Sequence, residues 1–236
     1  MPEVSSIAAN LVQVKARIQA ALARAGRSDQ VTLVAVTKTV DPGRIVEAYR
    51  CGVRHFGENR LQEFAEKRPQ LTLPDATWHM VGHLQSNKAK RAVEWFDWVQ
   101  SLDSLHLAQR LDRAAAEAGK RLPVLIQVHL GDEESKFGVE EHELARLVEG
   151  VATLAHLELR GLMVLPPYFA DPEQVRPFFR RLRHLAQKIA EREIPGVTMR
   201  ELSMGMSHDF EVAIEEGATM IRLGTALFSA RPAPAP

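Results

Sequence analysis

The sequence has little of several features that mark particular classes of protein. Cys51 is the single cysteine among 236 residues, which excludes an internal disulfide framework and a cysteine-based zinc site. Thirty basic residues balance thirty acidic ones, so no overall charge attracts nucleic acid or an anionic membrane. No apolar run approaches the roughly 20 residues of a membrane span. Because residues 1–18 lack the pattern of a signal peptide, we expect a cytoplasmic protein.

The composition that is present is typical of an ordinary globular protein. Apolar residues make up 45% of the chain and charged residues 25%. The length lies within the range that α/β barrels occupy as a single domain. We therefore predict one domain over residues 1–229, followed by a disordered tail of proline and alanine at residues 230–236.

Strand-like segments alternate with helical segments along the chain. Apolar residues at steps of three and four predict a helix over residues 5–25, opened by Ser5 or Ser6 and ended by Gly26. Strands are predicted near residues 31–37, 53–57, 77–82, 97–101, 122–130, 158–165, 200–204 and 219–223. Helices are predicted near residues 42–51, 59–68, 86–95, 104–118, 139–155, 171–192, 208–216 and 225–229.

Eight strands that alternate with helices favour an α/β fold with a parallel sheet and crossover connections. Eight strands close a (β/α)8 TIM-type barrel, here with an extra helix at the N-terminus, and the length suits that fold. A doubly wound open sheet is the alternative. Its dinucleotide-binding version is disfavoured because no GxGxxG turn follows the first strand.

Lys38 ends the first predicted strand, VTLVAVTK at residues 31–38. The dense apolar pattern predicts a strand that is buried on both faces. An ammonium at the rim of such a core is desolvated, which lowers its pKa, and a neutral amine attacks carbonyl groups. Lys38 is therefore a candidate Schiff-base lysine. The alternative is an ordinary solvated lysine after a strand.

Polar residues and glycines also follow several other predicted strands, where the active sites of α/β barrels lie. Glu58 and Asn59 follow the second strand. The third strand leads to His79 and His83, which could pack or cap. Because the segment is not helical and has no HExxH glutamate, we do not predict a metal site there. The basic run at residues 86–91 indicates a solvated helix start, and not a nucleic-acid site.

The loops after the seventh and eighth strands predict a phosphate site. Ser203 and Ser207 supply hydroxyls around Gly205, whose missing side chain lets backbone N–H groups approach an anion. Gly224 and Thr225 open a short helix whose N-terminus favours a phosphate. Ordinary turn chemistry is the alternative, with Ser207 or Asp209 as a helix cap. Both loops together, opposite Lys38, indicate a phosphorylated carbonyl compound.

Two charged residues near the predicted site have open roles. Arg222 lies on the eighth strand, two residues before Gly224, and either forms an ion pair at the rim or faces the ring of a ligand. Lys136 follows the fifth strand and meets either the ligand or solvent.

Several long motifs in one order resemble the pyridoxal phosphate homeostasis proteins, single-domain relatives of the N-terminal barrel of alanine racemase. The resemblance runs from about residue 5 to 229. It rests on VAVTK at 34–38, FGENRLQE at 56–63, WHMVGHLQSNK at 78–88, ESKFG at 134–138, GLMVLPP at 161–167 and LSMGMSHDFEVAIEEGATMIRLGTALF at 202–228. The sequence departs from the family at His129, where asparagine is frequent, and at Ser229, where glycine is frequent.

The resemblance implies that pyridoxal 5′-phosphate is bound as an internal aldimine on Lys38. It implies a phosphate end and a ring pocket made by the following residues: Ser207, Gly224 and Thr225 hold the phosphate, Ser203, Met204 and Gly205 line that end, Arg222 faces the pyridine nitrogen, and Asn59 and His79 line the ring pocket. The roles of Lys136, His83 and His129 stay open.

The implied function is a carrier that holds pyridoxal phosphate reversibly and supplies it to apo-enzymes, without catalytic residues of its own. A cation at the pyridine nitrogen stabilises a carbanion poorly. Alanine racemase also uses a tyrosine from a second domain, and the two tyrosines here, Tyr49 and Tyr168, are not expected to replace it. We expect a monomer because that domain is absent. The alternatives are a weak amino-acid racemase, a Schiff-base aldolase that uses Lys38, or a non-enzymatic interaction scaffold.

Overall fold

The computed structural model describes residues 6–131 and 137–228. Lys136, Ser229 and the tail predicted at residues 230–236 lie outside the described residues. The strands are β1 Thr32–Val36, β2 His55–Glu58, β3 Thr77–Met80, β4 Trp98–Leu102, β5 Leu122–His129, β6 Val139–Glu140, β7 Leu157–Val164, β8 Val197–Ser203 and β9 Met220–Leu223. The helices are α1 Ile7–Arg24, α2 Pro42–Arg50, α3 Leu61–Lys67, α4 Ala89–Trp95, α5 Leu105–Glu117, α6 Glu141–Ala152, α7 Arg176–Ala190, α8 Phe210–Glu215 and α9 Thr225–Phe228.

The parallel strands close into a barrel. Their order is β4-β3-β2-β1-β9-β8-β7-β5, and β4 also pairs with β5, which joins the two ends of the sheet. This closed eight-stranded arrangement confirms the predicted TIM-type barrel and shows that the open doubly wound alternative is wrong. The two-residue strand β6 extends the pairing of β5 beyond the barrel. Consequently α6 begins at Glu141, two residues later than predicted.

Helix α1 is the predicted extra element before the barrel. Ser6 caps it by accepting a hydrogen bond from the backbone N–H of Ala9 at 3.2 Å, as one of the two predicted N-caps. Gly26 follows the helix with a φ of 64°, which favours glycine, and it ends the helix as predicted. The buried stripe of α1 is formed by Ile7, Leu11, Val14, Ile18, Ala21 and Leu22, and the helix packs mainly against α8, α9 and α2.

The largest apolar core lies between the barrel and its helices, whereas the inside of the barrel is partly polar. Leu125, Met163 and Met220 form a small apolar cluster that packs against Trp98 and Leu165. The buried polar residues on the strands include His79, Gln100, Ser203 and Arg222. Buried polar groups require hydrogen-bond partners, so the barrel interior must supply a connected network.

All neighbouring strand pairs in the barrel are parallel, so their C-terminal ends lie at one edge. Lys38 follows β1, Asn59 follows β2, Ser207 follows β8 and Gly224 follows β9. Because β2, β1, β9 and β8 are consecutive in the barrel, these four residues lie on one continuous arc of that edge.

Candidate functional site

Lys38 lies in a turn at the C-terminal edge of the barrel, two residues beyond the end of β1. The strand itself is buried from Val34 to Val36, and Lys38 is partly exposed. Thr39 follows with a φ of 58°, in the left-handed region that β-branched residues avoid. Such backbone persists only where surrounding contacts hold it, so the neighbours of this turn determine where Lys38 is presented.

A buried ion pair holds the first half of the Lys38 turn. The ammonium of Lys67 donates to the carbonyl oxygen of Thr37 at 2.7 Å and to Oε1 of Glu58 at 3.0 Å. The hydroxyl of Thr37 donates to the same Glu58 oxygen at 2.6 Å. Burial raises the pKa of Glu58, and the contacts from Thr37 and Lys67 oppose that rise. The residue that precedes Lys38 is therefore anchored through both its carbonyl and its side chain.

Glu63 holds the second half of the same turn. Its Oε1 accepts a hydrogen bond from the backbone N–H of Thr39 and another from the Lys67 ammonium, at 2.5 Å. Burial opposes ionisation of Glu63, but the hydrogen bonds from Lys67 and Thr39 lower its pKa overall. Since Glu63 and Lys67 are four residues apart on α3, that helix clamps the turn from one side.

The loops after β8 and β9 meet at the hydroxyl of Ser207. Its oxygen accepts hydrogen bonds from the backbone N–H groups of Gly224 at 3.3 Å and Ala226 at 3.1 Å. Thr225, between them, begins α9. The two backbone donors thus point at one oxygen atom, an arrangement that suits the oxygens of a phosphate. Asp209 occupies the N-cap position of α8, but its side chain does not cap the helix, because it accepts instead from the backbone N–H of Met206 at 2.6 Å, before the helix begins.

Gly205 is required by packing against α8. It has a φ of 92°, and a Cβ there would lie 2.6 Å from Cβ of Ala213 and 3.0 Å from Cα of Phe210. We predicted this glycine as room for an anion, and the structure gives close helix packing as a sufficient reason. The adjacent backbone pairs with β9. The N–H of Met204 donates to the carbonyl oxygen of Met220 at 3.1 Å, and the carbonyl oxygen of Gly205 accepts from the backbone N–H of Arg222 at 3.0 Å.

Arg222 is buried inside the barrel, with 3% of its surface exposed. Its Nη1 donates to Oγ of Ser203 at 2.6 Å, and its Nη2 donates to the carbonyl of Val164 at 2.8 Å. Burial lowers the pKa of Arg222 to about 10, and the nearby charge of Asp209 opposes the shift. The guanidinium remains a cation at neutral pH, and Ser203 lies inside the barrel as its partner.

His79 and Asn59 occupy different surroundings. His79 is fully buried on β3, and its ring nitrogens lie 3.1 Å from Nδ1 of His55 and 3.0 Å from Nε2 of Gln100. Burial, and then the charge of His55, lower the pKa of His79 to about 3. Asn59 is partly exposed at the strand-end edge, and Gly82 packs directly on its backbone.

His83 and His129, two of the residues whose roles were left open, lie elsewhere on the same edge. His83 has its Nδ1 3.2 Å from a carboxylate oxygen of Asp103, and its ring stacks on Phe137 with 3.7 Å between centroids. His129 has its Nδ1 2.7 Å from Oε1 of Glu140. Within residues 6–131 and 137–228, no three His, Cys, Asp or Glu side chains are grouped as metal ligands. Nor does any helix there have the length and apolar character needed to cross a bilayer.

Sequence reasoning missed four residues of this region: Thr37, Glu63, Lys67 and Gln100. One signal was available for two of them, since Glu63 and Lys67 have the four-residue spacing of a helical ion pair. Gln100 has no local signal, because its partners are on strands distant in sequence.

Comparison with known proteins shows similarity over almost the whole chain. Residues 9–232 match the family described as alanine racemase, N-terminal domain. The pyridoxal phosphate homeostasis protein of Aquifex aeolicus (strain VF5) is 46% identical over 222 residues, which cover 94% of this chain and 96% of that protein. The pyridoxal phosphate homeostasis protein of Escherichia coli (strain K12) is 42% identical over 232 residues, which cover 97% of this chain and 98% of that protein.

A solved structure shows the same architecture. PipY of Synechococcus elongatus PCC7942 is 41% identical, and the similarity covers 94% of this chain and 100% of PipY. The TM-score is 0.85 for the PipY structure without PLP and 0.83 for the structure with PLP bound.

Proposed function

The chain belongs to the alanine racemase N-terminal domain family and to its pyridoxal phosphate homeostasis proteins, and we propose that it carries pyridoxal 5′-phosphate as a reversible Schiff base on Lys38. The observation that supports this proposal most strongly is the arc of the strand-end edge that runs from Lys38 through the end of β9 to Ser207. This arc combines an amine for an aldehyde with converging backbone donors for a phosphate. PipY with PLP bound, at 41% identity, supports the same ligand.

The donor set fits the parts of this ligand. Bound pyridoxal phosphate supplies an aldehyde that forms an imine with an amine, and an aromatic ring that acts as an electron sink. We assign the phosphate to Ser207, Gly224 and Thr225, where the backbone N–H groups of Gly224 and Ala226 converge. Met204 and Gly205 line that end, Asn59 lines the ring pocket, and Lys38 holds the aldehyde carbon.

Arg222 supports binding without efficient turnover. A guanidinium only donates hydrogen bonds, so at the pyridine nitrogen it favours the unprotonated ring, which is a weak electron sink. The tyrosines offer no buried base beside it. Tyr49 lies on α2 and its hydroxyl donates to Asp75, while Tyr168 is 75% exposed. We therefore propose a non-catalytic carrier in the cytoplasm, monomeric, that releases pyridoxal phosphate to apo-enzymes which use it.

The absorption spectrum tests the Schiff base directly. Purified protein incubated with pyridoxal phosphate is expected to show the visible band of a protein-bound imine, and Lys38→Ala is expected to lose it. Lys188→Ala, which removes an exposed lysine of α7, is the matched control and keeps the band. Wild-type protein that stays colourless with excess pyridoxal phosphate would refute the proposal.

Hydrogen exchange at the α-carbon of an amino acid distinguishes the carrier from the enzymatic alternative. We expect L-alanine incubated with the loaded protein in deuterated water to exchange no faster than with free pyridoxal phosphate. Faster exchange that depends on Lys38 would identify a racemase-type enzyme instead.

Retention of pyridoxal phosphate-dependent apo-enzymes by the immobilised, loaded protein would show direct delivery, whereas retention by ligand-free protein alone would favour an interaction scaffold.

A further inference from the structure

Arg222 is the first member of a chain of five hydrogen-bonded side chains inside the barrel. Arg222 Nη1 contacts Ser203 Oγ at 2.6 Å, and Ser203 Oγ contacts Gln100 Oε1 at 2.6 Å. Gln100 Nε2 lies 3.0 Å from Nδ1 of His79, and Nε2 of His79 lies 3.1 Å from Nδ1 of His55. Because β8 and β4 are not neighbouring strands, the contact between Ser203 and Gln100 crosses the interior of the barrel.

The charge of Arg222 determines the direction of every bond in this chain. A guanidinium has donors only, so Ser203 must accept from Arg222 and give its own proton to Oε1 of Gln100. The amide of Gln100 then presents its NH₂ group to His79, whose Nδ1 must accept. Neutral His79 therefore carries its proton on Nε2 and donates it to His55.

His55 connects this chain to the other edge of the barrel. A cavity of about 610 Å³ lies at the N-terminal ends of β1 and β2, beside α1, and His55 is part of its wall. Ser203, Gln100 and His79 are fully buried, whereas His55 is partly exposed. The chain thus joins a buried cation to a histidine that solvent reaches.

We infer that Ser203, Gln100, His79 and His55 are positioning residues for Arg222, which set the orientation of its guanidinium toward the ligand ring and transmit to it the hydrogen-bonding state of His55. The inference rests on the proposed function, because it takes the ring of pyridoxal phosphate as the group that Arg222 faces. Ser203 accordingly acts through Arg222 and lies behind the phosphate end.

Protonation of His55 reverses the direction of the hydrogen bonds between these side chains. A proton on Nδ1 of His55 would face the proton on Nε2 of His79, and two donors repel. Relief requires the other tautomer of His79 and rotation of the Gln100 amide, which puts a donor against Ser203 and displaces the Ser203 proton. The Ser203 oxygen can then accept from both Gln100 and Arg222, but its own proton has lost its acceptor, so we expect the hydroxyl and its contact with Arg222 to shift.

Several charged groups influence that protonation. Asp97 favours the protonated form of His55, but burial dominates and lowers its pKa. His79 faces His55 from β3. Lys15 on α1, with Asp29 and Arg54, lines the same cavity as His55. The transition is therefore expected at a pH below the usual range of histidine.

The absorption band of the loaded protein between pH 8 and pH 5 tests the inference. Wild-type protein is expected to show a band shift at acidic pH that His55→Gln lacks, because glutamine accepts from His79 but does not titrate. His55→Phe, which removes the acceptor, is expected to bind pyridoxal phosphate roughly two- to tenfold more weakly at pH 8. The control is His156→Gln, which changes a histidine in the turn before β7, outside the five hydrogen-bonded side chains, and should keep both properties. A shift unchanged in His55→Gln overturns the inference.

A measurement on the ligand-free protein separates this inference from the proposed function. Nitrogen-15 NMR of the imidazoles is expected to show His79 with its proton on Nε2 at neutral pH. The opposite tautomer overturns the inference even if pyridoxal phosphate binds. If wild-type protein does not bind pyridoxal phosphate, the proposed function fails, whereas the tautomer still decides whether the chain has the stated direction.

Discussion

Arg222 is a cation buried among strands, and its charge dictates what its neighbours do. Burial of an unpaired charge is costly, so each guanidinium donor of Arg222 that water does not reach requires a polar partner. Ser203 and the carbonyl of Val164 meet two of its donors. Lys67 satisfies the same requirement differently, by placing its ammonium among the oxygens of Thr37, Glu58 and Glu63. At the scale of single residues, the candidate site depends on two buried cations, Arg222 and Lys67, that hold the groups around them.

His79 gives a prediction at this scale. Its pKa is about 3 in the folded chain and near 6.5 when unfolded, so between these values the unfolded state binds more protons. Stability therefore falls as the pH decreases, and from pH 7 to pH 5 His79 should lower the free energy of unfolding by about 2 kcal/mol. Urea denaturation at both pH values measures this contribution. The stability that His79→Gln loses between pH 7 and pH 5 is expected to be smaller than the loss of wild-type protein by about that amount.

The matched control for that measurement is His106→Gln, which replaces an exposed histidine of α5. This variant is expected to lose as much stability as wild-type protein between pH 7 and pH 5. Equal losses in wild type and His79→Gln would show that His79 is not held neutral by burial.

At the scale of elements, the loops that carry the site are fixed by close packing of backbone against backbone. Gly205 lets the loop after β8 lie directly on α8. Gly82 does the same between the loops after β3 and β2, since a Cβ there would lie 2.2 Å from the carbonyl oxygen of Asn59. Helix α3 adds the clamp of Glu63 and Lys67 on the turn of Lys38. The site is thus built on loops whose conformations the adjacent elements determine.

Gly82→Ala tests this packing. The added methyl group meets backbone that cannot rotate away, so we expect a loss of about 1–3 kcal/mol in stability and weaker uptake of pyridoxal phosphate. Gly119→Ala is the control, because it meets no atom within 4 Å and has only a left-handed φ of 64°. That backbone costs about 1–2 kcal/mol, and uptake should be unchanged. Equal uptake by both variants would contradict the role given to Gly82.

At the scale of the whole molecule, the ligand that we propose for this arc would stabilise the barrel as a unit. Lys38 follows the first strand and Gly224 follows the last, and these two strands, β1 and β9, pair with each other in the barrel. Anything that binds only the folded chain adds to its stability by mass action.

Thermal unfolding measures that gain. Pyridoxal phosphate at a hundred times its Kd adds about 2.7 kcal/mol, which corresponds to roughly 5–10 °C in Tm for a chain of this length. Lys38→Ala at the same ligand concentration should shift much less, whereas Lys188→Ala should match wild type. An equal shift in Lys38→Ala would indicate that the ligand binds without the lysine.

Local patterns in the sequence determined the elements of this protein and their succession. Strand and helix periodicity, the Ser6 cap and Gly26 depend on residues within one or two turns, so they were predictable before the fold was known. The eight-stranded barrel followed from the count of alternating strands and helices. The strand-end loops followed too, because parallel strands bring their C-terminal ends to one edge.

Only the tertiary structure decided what lies behind those loops. Closure of β4 on β5 puts Gln100 opposite Ser203, 103 residues away, and no local pattern encodes that contact. The same holds for Lys67, which reaches the carbonyl of Thr37 across 30 residues. The sequence by itself determined which chemical groups lie at the C-terminal edge of the barrel. Their orientation depends on long-range hydrogen bonds inside a closed barrel, and those exist only once the chain has folded.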